Sequence, residues 1–143
     1  MKKYKIGYTQ GVYDMFHIGH LNLLNHAKAL CDFLIVGVNS DDLVREYKNK
    51  VPVISEAERM EIVANIKAVD KCEIVYTLDK LVALNNFHFD VVFVGDDWKG
   101  NSRWNVTIQQ LAKVGVDVVF LPHTEGISST RLRPLENAKV NDL

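Results

Sequence analysis

Residues 5–24 read KIGYTQGVYDMFHIGHLNLL. The stretch opens on a short apolar run, passes a glycine at Gly11, and closes on a leucine-rich segment. Leu23, Leu24, Ala27 and Leu30 fall at i, i+1, i+4 and i+7, the stripe of a helix lying on a core. A strand that empties through a glycine loop into a helix is the opening half of a strand–helix–strand unit, the building block of parallel sheets. The rest of the chain can then be read by asking whether that unit recurs.

It does. FLIVGV (33–38), CEIVY (72–76), DVVFVG (90–95) and VDVVFL (116–121) are short apolar runs rich in β-branched or aromatic residues. Near-continuous runs of this kind suit strands covered on both faces. Helical segments lie between them. Ser55 and Glu58 are spaced for a capping box ahead of Met60, Ile62, Val63 and Ile66. Another helix is expected from about Arg103 to Val114, stopped by Gly115, and a last one from near Ser128. No repeat or Pro/Gly-rich linker divides the chain. The pattern predicts one α/β domain over residues 1–143, Rossmann-like and doubly wound, with a mostly parallel five-stranded sheet. In that architecture ligands bind beyond the C-terminal ends of the strands, so chemistry is to be sought in the segments after each strand.

Composition narrows the partners. The 143 residues are 48% hydrophobic and 24% charged, with a formal net charge of -1. That balance fits a soluble globular protein and gives no bulk attraction to nucleic acid or to an anionic membrane. No apolar run approaches the ~20 residues of a membrane span, and MKKYKIGYTQ lacks the apolar core of a signal peptide. Cys31 and Cys72 are far apart with no C-x-x-C spacing, which favours a reduced, cytoplasmic setting.

Several segments after strands carry unusual residues. Neither G-x-G-x-x-G nor G-x-x-x-x-G-K-[ST] is present. Gly11 still allows close backbone approach to a phosphate, and a helix opening near Gly19 would aim free N–H groups at it. His17 and His20, about a turn apart, can address one charged group. They could equally be solvated helix-entry histidines, or a metal pair that Asp14 completes poorly. In REYKNKVP, Lys48 and Lys50 alternate across a loop with Arg45 upstream, which suits either a solvated face or a phosphate grip. Arg59 sits three residues after Glu56 on the same helical face, the spacing of a surface ion pair. Asp96 and Asp97 could bind metal, cap a helix or accept from a ligand. In PHTEGISSTRLR, Ser128, Ser129 and Thr130 crowd hydroxyls at a helix start, as one cap or as an anion site with Arg131.

H-I-G-H after a strand and glycine loop resembles the H-x-G-H signature of the nucleotidyltransferase superfamily. With VPVISEAER, NIKAVD, GDDWKG and HTEGISST the resemblance is to cytidylyltransferases, most closely the bacterial glycerol-3-phosphate enzymes. It implies attack by the phosphate of a small alcohol on the α-phosphorus of CTP, with Mg2+ as charge partner and no metal set of the protein's own. By the same resemblance His17, His20 and Lys48 are catalytic. The nucleotide falls to Thr9, Gly11, Val12 and Tyr13 at the first strand exit, to Gly19, and to Lys50 and Lys67. Asp96 and Trp98, then His123 and Thr124, then Ser128 and Ser129 complete that set, and Arg59 meets the acceptor. The resemblance also implies a homodimer and a product used in teichoic-acid-like or capsule polymers. Choline, ethanolamine or ATP-dependent variants of the reaction, and a non-catalytic nucleotide-binding module, are the rival readings. Two positions depart from the family pattern: His123 and Lys67 stand where it has arginines.

Overall fold

The computed structural model describes residues 3–124. Its strands are β1 (Tyr4–Gly11), β2 (Cys31–Asn39), β3 (Lys71–Val75), β4 (Val91–Gly95) and β5 (Asp117–Leu121). The helices are α1 (Ile18–Ala29), α2 (Asp41–Lys48), α3 (Glu56–Ala64), α4 (Lys80–Phe87) and α5 (Ser102–Ala112), with a 3-10 turn over Asp96–Trp98. The strands form one sheet in the order β3-β2-β1-β4-β5, and every neighbouring pair is parallel. The chain therefore starts at the centre, winds out to β3, then crosses back to build β4 and β5. The reversal of direction falls between β1 and β4, and a crevice opens there above the strand ends.

Helices cover both faces. Leu24 and Ala27 of α1 and Val63 of α3 pack on Leu34, Val36, Val38, Val91 and Phe93. Ala83 of α4 and Trp104 and Leu111 of α5 pack on Tyr8, Ile35, Val92 and Val94. Neighbouring residues of a strand thus face two different cores, which is why the strands read as unbroken apolar runs. Gly7 in β1 is a packing requirement, since a Cβ there would lie 2.5 Å from Phe93 Cε2 and 2.9 Å from Cys31 Sγ. Among the described residues no helix is long and apolar enough to cross a membrane.

The five strands fall where the apolar runs predict them, and the sheet is wholly rather than mostly parallel. Three local readings need correction. α1 begins at Ile18, because His17 is its N-cap. Arg45 and Lys48 lie on α2, not on an open loop, and only Lys50 follows the left-handed Asn49 that ends that helix. α3 ends at Ala64, short of Ile66, and Lys67 lies in the turn between α3 and β3. The helix expected near Ser128 lies outside the described residues.

Candidate functional site

A cleft of about 390 Å³ lies over the C-terminal ends of β1, β2 and β4. Its floor is the β1 exit, Thr9 to Asp14. Tyr13 and Met15 there take positive φ of 55° and 49°, a left-handed backbone that costs a side-chain-bearing residue about 1 kcal/mol or more. The loop is held in that shape from below. Buried Asp14 accepts the N–H groups of Val53 and Ile54 at 2.8 and 2.9 Å. Arg59, 1% exposed, donates to the carbonyls of Val12, Asn39 and Ile54 and to Asp41 Oδ1. The surface pair with Glu56 does not form; Glu56 instead accepts the Asp41 N–H.

The histidine pair closes one end. His17 caps α1 by accepting the Gly19 N–H at Nδ1, 3.0 Å, while His20 Nδ1 accepts the His17 N–H at 3.2 Å. Backbone N–H groups can only donate, so both Nδ1 atoms are acceptors and each neutral ring carries its proton on Nε2. The rings stack with centroids 3.9 Å apart. Burial pushes the His17 imidazole below its ordinary value. Burial, then the His17 neighbour, takes His20 down to about 4 against the opposing pull of Asp14. At neutral pH the helix start therefore presents two uncharged, orientation-locked Nε2–H donors.

Further lining comes from α2, α4, α5 and the turns beside them. Tyr47, Lys48 and Lys50 stand beside Lys80, Arg103, Trp98 and Trp104. Lys80 is 8% exposed, its Nζ 5.1 Å over the Trp104 ring and bonded to the Leu78 carbonyl. Burial, then the Arg103 charge, lowers its ammonium to about 8, while Asp79 pulls the other way. Arg103 lies over Trp98 at 5.9 Å and makes no ion pair among the described residues.

Of the residues singled out in the sequence, Thr9, Gly11, Val12, Tyr13, His20, Lys48, Lys50 and Trp98 line this cleft. His17 and Gly19 stand at its edge through the stacked pair. Asp96 and His123 pair with each other at 2.7 Å, and Thr124 is bonded to Asn22 of α1 at 2.9 Å, so the β4 and β5 exits meet the histidine helix. Arg59 lies beneath the floor, with a guanidinium already committed to protein acceptors. Lys67 is at the other end of α3, and the structure does not bring it to the cleft. Ser128 and Ser129 lie outside the described residues. Lys80, Arg103 and Tyr47 were missed. A lone lysine, arginine or tyrosine in a short helix carries no motif, and only their convergence marks them.

A metal has few protein ligands here. Among the described residues no group of three or more His, Cys, Asp or Glu could hold one. Two carboxylates line the cleft, Asp14 and Asp97, and the amides of Val53 and Ile54 already occupy Asp14. That set fits an ion carried on phosphate oxygens and water, touching the protein at most through Asp97.

A doubly wound parallel sheet, a cationic crevice at its switch point and a donor-bearing helix N-terminus together define a nucleotide-handling α/β protein. The cytidylyltransferase-like family model matches residues 8–134, and the chain belongs to that family. Glycerol-3-phosphate cytidylyltransferase of Bacillus subtilis (strain 168) is 34% identical over 128 residues, 87% of this chain and 92% of that protein. Bifunctional protein HldE of Koribacter versatilis is 35% identical over 129 residues, 90% of this chain. The chain spans only 26% of that longer relative. Among solved structures, the lipopolysaccharide core biosynthesis protein from Thermoplasma volcanium GSS1 superposes with a TM-score of 0.70 at 25% identity, covering 85% of this chain and 97% of that one.

Proposed function

We propose that this protein transfers CMP from CTP to a phosphorylated small alcohol, with sn-glycerol 3-phosphate as the acceptor, releasing pyrophosphate. An oxygen of the acceptor phosphate bonds to the α-phosphorus, and the bridging P–O bond to the β-phosphate breaks with its electron pair. Charge crowds onto the α-phosphoryl oxygens, and stabilising it is the main catalytic task. The observation that carries the reading is the capping lock of His17 and His20, which fixes both Nε2–H donors at a helix start without a charge that would hold the product. Lys48 and Lys50 take the departing pyrophosphate as flexible point charges. Ser128 and Ser129 belong to the same reading as phosphate donors. Asp97, a carboxylate of the cleft lining, would be the group to touch a Mg2+ ion carried by the triphosphate, which would supply further charge neutralisation.

The acceptor assignment rests on the Bacillus relative, which this chain matches over nearly its full length. Arg59 enters by holding Val12 and Ile54 in place rather than by meeting the acceptor. Homodimer assembly and use of the product in polymer synthesis follow from the resemblance alone, and cytoplasmic location from the spacing of Cys31 and Cys72. Light scattering on the purified chain tests the first of these. The activity is tested by measuring pyrophosphate from CTP or ATP with sn-glycerol 3-phosphate, phosphocholine or phosphoethanolamine. CTP with sn-glycerol 3-phosphate should be fastest by a wide margin. Preference for ATP, or for either amino alcohol, would replace the assignment with that rival.

A further inference from the structure

A chain of polar side chains crosses the β1–β2 end of the cleft, and the polarity of each of its bonds can be deduced. Gln10 Nε2 lies 2.9 Å from the Thr77 carbonyl and 2.8 Å from Asn39 Oδ1. A backbone carbonyl can only accept, so the Gln10 atom facing it is the amide nitrogen. Gln10 Oε1 is then the acceptor for the Tyr8 hydroxyl, at 2.7 Å. Asn39 must offer its oxygen to Gln10, which leaves Asn39 Nδ2 to donate to the Tyr47 oxygen at 3.0 Å. Tyr47 has thereby accepted one bond, and its own proton is spent on no described residue. That proton belongs to a half-buried phenol on the cleft wall, alongside Lys80 and Arg103.

We infer that the Tyr47 hydroxyl is a dedicated hydrogen-bond donor to the phosphate of the acceptor, aimed into the cleft by the Tyr8–Gln10–Asn39 chain. This rests on the proposed transfer reaction. The donor lines the cleft with Lys80 and Arg103, two cations that the pyrophosphate grip does not use. A phosphate dianion there meets two cations and one oriented O–H, and each of its oxygens can accept. Burial raises the Tyr47 phenol above its ordinary value, outweighing the Asn39 bond and the Arg103 charge, so it stays protonated as pH rises past neutrality.

Tyr47→Phe removes the hydroxyl and keeps the ring. Two measurements read it. In steady-state assays the KM for sn-glycerol 3-phosphate should rise about tenfold, the loss expected for one hydrogen bond to a charged group, while the KM for CTP and the melting temperature hold. Trp98 and Trp104 line the cleft, so fluorescence titration of nucleotide-free protein reads binding without turnover. In that titration inorganic phosphate and sn-glycerol 3-phosphate should weaken by the same factor. An unchanged affinity for both, or a rise in the CTP constant instead, overturns the inference. Weakening of the glycerol ester alone would move the bond from the phosphate to an alcohol oxygen and overturn it too. If the wild-type protein binds these anions yet releases no pyrophosphate with any nucleotide, the transfer reaction fails, while the titration still decides Tyr47.

Discussion

At the scale of single residues, the histidine rings serve both the helix and the reaction, and the two uses can be separated. His17→Asn keeps a good N-cap acceptor but loses the imidazole. His20→Gln keeps a third-position residue able to reach back to the cap. We expect turnover to fall about 100-fold or more in each, the usual scale for one lost transition-state donor, with melting temperatures near wild type. Retained turnover in both would remove the pair from the mechanism. Acid adds a second check. His20 takes up a proton near 4 when folded, against an ordinary value of 6.5, so the unfolded chain binds more protons between those limits. Stability contributed by the neutral ring is whole above 6.5 and is lost as pH falls toward 4. Thermal melts across that window should therefore drop less steeply in His20→Gln than in wild type. Wild-type turnover should show no break at 6.5 from this group.

Elements explain which parts were legible beforehand. α3 announced itself because Ser55 caps it by accepting the Glu58 N–H, the forward half of the box that the S-E-A-E spacing predicts. α2 and α4 are eight residues each and bury only two apiece, Leu43 and Val44, and Lys80 and Ala83. Two buried positions make no readable stripe, and in α4 one of them is a lysine. Arg59 is the clearest case of an element overruling local spacing. Sequence neighbours offer it Glu56, yet α3 docks against the ends of β1 and β2, where carbonyls with no further strand partner converge. Its guanidinium satisfies two of them, those of Val12 and Asn39, together with the Ile54 carbonyl just ahead of α3. Arg59→Met should destabilise the fold by about 3 kcal/mol or more, because Asp41 loses its cation and buried carbonyls lose their donors. Arg59→Lys should recover part of that, since one ammonium cannot span the same fork. Urea unfolding midpoints decide it: equal stability of Arg59→Met and wild type would mean the clamp contributes nothing.

At the scale of the molecule, the cleft joins helices from both faces of the sheet, α1 packed on one core and α4 and α5 on the other. Lys80 and Arg103 come from different helices but share one field. If a charged Lys80 holds the acceptor anion, the acceptor KM should climb as pH rises through about 8. Arg103 depresses that ammonium, whereas Asp79 raises it. Arg103→Gln should therefore shift the break to higher pH as well as weaken the anion. A break that stays in place would show that the two cations do not act on one ligand.

The amino-acid order by itself determined the parallel doubly wound sheet and the histidine helix. Burial on both faces leaves unbroken apolar runs, and a capped helix after a glycine loop is a local event. It also pointed to the reaction through H-I-G-H and its companion motifs. Only the tertiary structure decided which cations share the cleft, that Arg59 supports its floor from beneath, that Lys67 stands apart from it, and that the Asn39 amide donates to the Tyr47 oxygen. Those depend on groups far apart in the chain meeting at strand ends. The direction of a hydrogen-bonded chain is set by its one partner that can only accept, and for Tyr47 that partner is a carbonyl thirty residues further along.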